Sequence, residues 1–323
     1  MENKIFKILS DMSEELNYQQ LEKLQQVLLA RLNDEAEIEE KVLDNNDYLE
    51  LFVSAKRVEG CTERTIEYYR VTIEKMLDEI NIPVRRITTE ILREYLTAYQ
   101  MKNNCSKVTI DNVRRNLSSF FSWLEDEDHI IKSPIRRIHK VKTGTVVRET
   151  LSDEQIELLR DGCHCSRDLA IIDLLYSTGM RVGELCNLDR DDINFNEREC
   201  IVYGKGNKER RVYFDAKAKL HLQKYLERRI DLNPALFVSM DAPHDRLSIH
   251  AIEHRLRMLG RELDINKVHP HKFRRSMATK AIDKGMPIEQ VQKLLGHQQI
   301  DTTMHYAMVN QVNVKMSHRK FIA

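Results

Sequence analysis

The feature that most narrows the possible folds is a set of cationic side chains inside apolar helical spacing near the C-terminal end. It reads His271-Lys272-Phe273-Arg274-Arg275-Ser276, then Leu295-Gly296-His297, then Asp301-Thr302-Thr303-Met304-His305-Tyr306. The periodicity asks these segments to be buried helix, and an isolated buried charge costs on the order of several kcal/mol. A helical core with this many positive groups needs an anion to justify it.

The rest of the chain bounds what that anion can be. At 323 residues there is room for two domains and a sizeable core. A hydrophobic fraction of 41% beside 32% charged residues describes a soluble, helix-rich protein rather than a disordered one. No apolar run approaches the roughly 18 residues of a membrane span. Met1-Glu2-Asn3-Lys4 leads into a polar segment rather than a signal peptide, so a cytoplasmic protein without a membrane partner is expected. Six cysteines at irregular spacings suit reduced thiols better than a disulfide framework. The net charge of zero hides an asymmetry: residues 1–42 hold 5 Lys and Arg against 10 Asp and Glu, residues 43–145 hold 17 against 16, and residues 146–323 hold 29 against 25. An acidic extension thus cancels a mildly basic body, and charge alone neither establishes nor excludes nucleic acid.

Residues 1–42 carry Leu21, Leu24, Leu28 and Leu32 at helical spacing, which predicts an acidic amphipathic helix that packs on the body or on another subunit. Residues 43–131 read as a helical domain of four helices. Asp47, Thr62, Thr89 and Ser106 are the expected starts, and Val113, Leu117, Phe120, Phe121 and Leu124 form the last apolar stripe. Those aromatic residues are read as core rather than as a base-stacking platform. Residues 132–150 form a basic connector in which Pro134 stops helix. Lys132, Arg136, Arg137, Lys140 and Lys142 then lie in an extended strap between two domains, where contact with a DNA backbone is expected.

The second domain, residues 151–323, opens with a capping box at Ser152 and Gln155. A helix over Arg167 to Tyr176 turns Leu169, Ile172, Leu175 and Tyr176 inward. It stops at Ser177-Thr178-Gly179, where a helix through Arg181, Glu184 and Leu185 takes over. Ile193–Phe195, Cys200–Tyr203 and Arg211–Phe214 read as short strands, the last two flanking a hairpin turn at Gly204-Lys205-Gly206-Asn207-Lys208. Everything from Lys217 onward reads as helix.

Taken together, Ser177-Thr178-Gly179-Met180-Arg181-Val182-Gly183-Glu184-Leu185, Lys205 in a hairpin, His271-x-x-Arg274, Leu295-Gly296-His297 and Tyr306 resemble the tyrosine recombinase (phage integrase) family. The motifs stand in the family's order, and the resemblance covers residues 43–323. It implies a mainly α fold: a helical core-binding domain, then a mostly helical catalytic domain with a small three-stranded antiparallel sheet. It implies cleavage and rejoining of double-stranded DNA through a 3′-phosphotyrosine, exchange in a homo-tetramer, and no metal or other cofactor. By resemblance Tyr306 is the nucleophile, Arg181 and Arg274 hold the phosphate, and Lys205 protonates the departing 5′ oxygen. His271 assists proton transfer at the nucleophile, and His297 donates to a phosphate oxygen. Phe273 stands where leucine is usual and Arg275 where histidine is often found; neither removes a catalytic group. The two domains are expected to clamp DNA in a C shape, with Val309 to Ile322 docking on a neighbouring subunit.

Elementary chemistry runs parallel to the resemblance. A guanidinium stays charged and offers a phosphate two donors at once, and a phenol with a pKa of about 10 needs neighbouring cations or a base before it attacks. Plain readings stand beside each residue: Arg181 in a salt bridge with Glu184, His297 as a residue following a helix-stopping Gly296, Lys205 as a solvated turn with Lys208 as its rival. His269-Pro270-His271 and Cys163-His164-Cys165 lack enough ligands for a metal. Asp189, Asp191 and Asp192 suggest capping and turn roles, or else a metal-dependent nuclease or transposase. A catalytically silent DNA-binding regulator and a relaxing topoisomerase are further alternatives. The expected role is integration or excision of a mobile element, with resolution of chromosome or plasmid dimers as the alternative.

Overall fold

Helix starts in the first unit are set by side-chain caps, and the computed structural model places most of them where short polar residues precede apolar stripes. It describes residues 8–9, 11–12, 15–33, 43–142, 149–204, 209–297 and 299–304, which fall in two units, 1–145 and 146–323. Lys205, Lys208, Tyr306 and the segment 309–322 lie outside the described residues. In the first unit α1 (Tyr18–Asn33) keeps Leu21, Leu24 and Leu28 on its less exposed side. Then follow α2 (Asn45–Val58), α3 (Glu63–Ile80), α4 (Thr89–Asn103) and α5 (Lys107–Asp126). Phe52, Phe120 and Phe121 are wholly buried, and Phe52 meets Phe120 edge-on with ring centroids 5.4 Å apart. The aromatic residues of α5 are therefore core.

Thr62 and Ser106 cap α3 and α5 as their sequence predicts. Two other starts shift. The cap of α2 is Asp44, whose carboxylate accepts from the Asp47 amide at 2.7 Å while Asp47 returns the bond from the third helical position. The cap of α4 is Thr88; Thr89 sits inside the helix and donates its hydroxyl to the Pro134 carbonyl at 2.6 Å. That last bond also corrects the extended connector. Pro134–Arg137 is a 3-10 turn seated on the helical unit, with Ile135 1% exposed in its core and the Ser133 amide donating to Glu125 at 3.0 Å. An apolar side chain at Ile135 outweighs the local tendency of a basic, proline-containing run to stay extended. Lys132, Arg136, Arg137, Lys140 and Lys142 are all exposed.

The second unit is organised on α7 (Ser166–Thr178), which follows α6 (Asp153–Asp161) and its Ser152–Gln155 capping box. Ala170 to Leu175 are buried without interruption, so α7 is enclosed on nearly all sides rather than amphipathic, and Leu169 is only half-buried. The enclosed charge at Asp173 is satisfied by Arg160, whose Nε donates at 2.6 Å, and by His221. Next come α8 (Val182–Asn187) and a sheet of β1 (Ile193–Asn194), β2 (Glu199–Tyr203) and β3 (Glu209–Tyr213). Its order is β1-β2-β3, antiparallel throughout, with Cys200 opposite Val212 and Val202 opposite Arg210. The helices α9 (Ala216–Glu227) and α11 (Pro270–Asp283) pack on α7, with α10 (Ile249–Glu262) before α11 and α12 (Ile288–Leu295) and α13 (Ile300–Met304) after it.

Helix does not run unbroken from Lys217. Residues 228–248 are irregular, bridged to other segments at Asp189–Ala235 and Val238–Arg246. Pro234 and Pro243 remove helix donors there. Arg229 enters the loop instead and donates to the carbonyls of Asn233, Ala235 and Leu236. The architecture is mainly α with one small antiparallel sheet, and no helix among the described residues is long and apolar enough to cross a membrane.

One residue links this fold to its chemistry. Gly179 ends α7 with φ +61°, and a Cβ there would lie 2.0 Å from Met277 Cε. Gly179→Ala is expected to lower stability by about 1–2 kcal/mol from backbone strain alone, and by more where Met277 fails to move aside. Urea denaturation checks this, and a neutral effect would refute the strain argument.

Candidate active site

The site forms where α7 stops. Because Gly179 turns left-handed, its carbonyl faces α11, and the chain re-enters a helix two residues later with Arg181 as the N-cap of α8. Arg274, on α11, is 2% exposed. It donates from Nη1 to the Gly179 carbonyl at 2.6 Å and from Nη2 to the Leu295 carbonyl at 2.6 Å. The Leu295 carbonyl is available because α12 ends there, Gly296 taking φ +64° as its cap. Arg274 Nη2 also lies 3.0 Å from His297 Nε2, and His297 Nδ1 lies 2.9 Å from the buried Thr303 hydroxyl. Helix termini have orphan carbonyls to offer, and two of them orient this guanidinium.

Arg181 combines both of its sequence readings. Its amide donates to Glu184 Oε2 at 2.7 Å and its Nη1 to Oε1 at 2.8 Å, which is the ion pair. Its Nη2 reaches the Gly296 carbonyl at 3.4 Å, which brings it beside the Arg274 cluster although the two arginines stand 93 positions apart in the chain. Glu184 is shared. Arg210, on β3, donates to its two oxygens at 2.6 and 2.7 Å and sends Nε to the Leu294 carbonyl at 3.0 Å. Burial pushes the Glu184 carboxyl up, but hydrogen bonds from Arg210 and Arg181 outweigh it and hold the group below the usual carboxylate range.

His271 stands in the first turn of α11, after Pro270. Partial desolvation, then the guanidiniums of Arg274 and Arg181, push its imidazole below its ordinary value. The same causes in the same order, with Arg210 added, push His297 down to about 4. Both imidazoles are neutral near pH 7. Lys272 lies apart from the cluster and donates to the Asn266 carbonyl at 2.7 Å, and Arg275 donates to the Glu149 carbonyl at 2.8 Å.

The structure therefore brings Arg181, Arg274, His271 and His297 together. It adds Arg210 and Thr303, which sequence reasoning missed, and gives Glu184 a second partner. Strand alternation was the available signal for Arg210, since it turns to the inner side of β3 with Val212. Asp189 and Asp192 close a capping box, and among the described residues no group of three or more His, Cys, Asp or Glu is arranged to hold a metal ion.

Comparison with known proteins decides the family. Residues 148–312 match the phage integrase family and residues 48–131 its N-terminal SAM-like domain. Tyrosine recombinase XerA of Pyrococcus furiosus is 33% identical over 282 residues, covering 85% of this chain and 94% of that one. The chain belongs to the phage integrase family. As a tyrosine recombinase it is a site-specific DNA recombinase, cutting and rejoining DNA through a phosphotyrosine intermediate in a reaction that needs neither metal nor ATP. XerA of Pyrococcus horikoshii is 30% identical over 286 residues, 87% of this chain and 96% of that one. Two solved recombinases share the fold: the Tn1549 transposon integrase in complex with a circular intermediate DNA (TM-score 0.69, 18% identity, 84% of this chain and 98% of that one), and XerH bound to its difH substrate (TM-score 0.68, 19% identity, 97% and 93%).

The recombinase site yields two stability expectations. Arg210→Ala leaves Glu184 buried with one partner fewer, and a loss of about 3 kcal/mol is expected in urea denaturation; no loss would mean that Arg181 alone satisfies the carboxylate. For pH, the unfolded chain holds more protons than the folded one wherever a folded pKa is depressed, so stability falls as pH drops. His297 titrates near 4 folded and near its ordinary 6.5 unfolded. Stability should therefore decline between about pH 6.5 and about pH 4, and His297→Gln should flatten that slope. An equally steep slope in the variant would assign it to other groups.

Proposed function

We propose that Tyr306 attacks a scissile DNA phosphate held by Arg181 and Arg274. The observation that carries this is the convergence of the two guanidiniums at the paired ends of α7 and α12, with His297 against Arg274. Attack on a phosphodiester adds negative charge to the non-bridging oxygens, and preoriented cations favour that state over the ground state. Arg181, Arg210 and Glu184 together contribute one net positive charge, and Arg274 contributes another. His271, kept neutral near pH 7, is able to accept the phenol proton. Lys205 protonates the leaving 5′ oxygen, and His297 hydrogen-bonds a phosphate oxygen. Lys132, Arg136, Arg137, Lys140 and Lys142 contact the DNA backbone, the domains 43–131 and 151–323 both bind the site, and four copies exchange strands in the cytoplasm.

The biological role that we infer is recombination between two copies of one short site, as in resolution of chromosome or plasmid dimers, a reading supported by the match to tyrosine recombinases named XerA over nearly their whole length. Integration or excision of a mobile element uses the same chemistry and differs only in where the two sites lie; the fold shared with the Tn1549 integrase keeps it as the second reading. Trapping the protein on genomic fragments with a nicked suicide design and sequencing them separates the two. A site at an element's ends supports integration, and one unlinked to any element supports dimer resolution.

With cognate DNA, Tyr306→Phe is expected to bind but form no covalent adduct; adduct formation by this variant would sink the nucleophile assignment. Arg181→Lys keeps the charge and loses the bidentate geometry, so cleavage should slow by about 10²–10³ while DNA affinity changes little. Unchanged cleavage would overturn the role of the guanidinium.

A further inference from the structure

The hydrogen-bond directions around His297 carry an inference that its motif alone does not. Arginine has only donors, so the 3.0 Å contact between Arg274 Nη2 and His297 Nε2 requires a lone pair on Nε2. The neutral ring then bears its proton on Nδ1, which faces the Thr303 hydroxyl at 2.9 Å. Thr303 is completely buried and sits on α13, six residues beyond the histidine and three before Tyr306. A protonated ring at this position would set a second cation 3.0 Å from Arg274 inside the protein. Its burial and its cationic neighbours both oppose that.

We propose that Arg274 fixes His297 as the Nδ1–H tautomer and that Thr303 is a positioning residue whose hydroxyl accepts that proton and holds the ring in place, so that the histidine serves as an acceptor arm of the Arg274 cradle until DNA arrives. In that state Arg274 is oriented by the carbonyls of Gly179 and Leu295 and by the ring nitrogen of His297. For His297 to donate to a phosphate oxygen from Nε2, Arg274 must first turn its Nη2 donor from the ring to the phosphate. Nε2 must then gain a proton from solvent, giving an imidazolium beside the new anion with its Nδ1–H still donated to Thr303. The threonine thus ties the segment leading to Tyr306 to the orientation of the histidine ring.

The experiment has two arms, and only the kinetic one rests on the catalytic site proposed above. Histidine ring nitrogens of the full chain, labelled with 15N and read by long-range proton–nitrogen correlation, should show Nδ1–H for His297, identified by its loss in His297→Gln. An Nε2–H tautomer or an imidazolium near pH 7 in the wild-type chain would overturn the proposal without involving any variant. Thr303→Val fills the same volume without an acceptor; it should keep Nδ1–H, because Arg274 still faces Nε2, but expose that proton to faster exchange with water, whereas Thr303→Ser should keep it protected. In single-turnover cleavage of a suicide substrate the valine variant should slow by about three- to tenfold, with DNA affinity unchanged and the serine variant close to wild type. Wild-type rate and wild-type exchange of the Nδ1 proton in Thr303→Val would overturn the inference, while an adduct in Tyr306→Phe would overturn the site and leave the tautomer assignment standing.

Discussion

The bidentate pair between Arg210 and Glu184 holds three separate elements at one point: the inner face of β3, the first turn of α8 and the C-terminal end of α12. Without it the carboxylate would lie buried beside Arg181 alone, and Arg181 is about one-third exposed. A side chain that open would sample many rotamers if nothing fixed its base. Glu184 fixes that base through both the amide and the guanidinium of Arg181. The salt bridge that offers a bland explanation of Arg181 is thus the means by which it is aimed.

Helix ends do the remaining work. The left-handed glycines at 179 and 296 turn the carbonyls at the ends of α7 and α12 toward one guanidinium, and Arg274 enters from α11 to donate to them. An interior of this kind accepts a positive group because the acceptors are already in place, which answers how so many cations can sit within helical spacing. Where burial and neighbouring guanidiniums would leave a further positive charge unsupported, the imidazole of His297 stays neutral instead.

How much was legible in the chain follows from these contacts. Arg181, Arg274 and His297 lie in short motifs whose local geometry, a glycine stop or a helix start, is written within three or four residues. The caps at Thr62, Ser106 and Ser152 were readable for the same reason. Arg210 was legible only as an inward strand position, since its partner is 26 residues upstream and its carbonyl acceptor 84 residues downstream. The loop 228–248 escaped notice because its order comes from Arg229 filling backbone acceptors, which no periodicity records. The connector was misread because Ile135 belongs to a core whose other members lie on distant helices. Lys205 and Tyr306 remain readings of motif and family.

The way Arg274 is held bears on how such a site can drift over time. Two of its acceptors are main-chain oxygens, which every amino acid possesses. Replacing Leu295 with another residue changes packing but cannot delete the acceptor, whereas an arginine held by a carboxylate is one mutation from losing its partner. These carbonyls also orient the guanidinium without contributing an opposing full charge. Neighbouring sequence is thereby free to diverge around an arginine whose orientation is inherited from the path of the backbone.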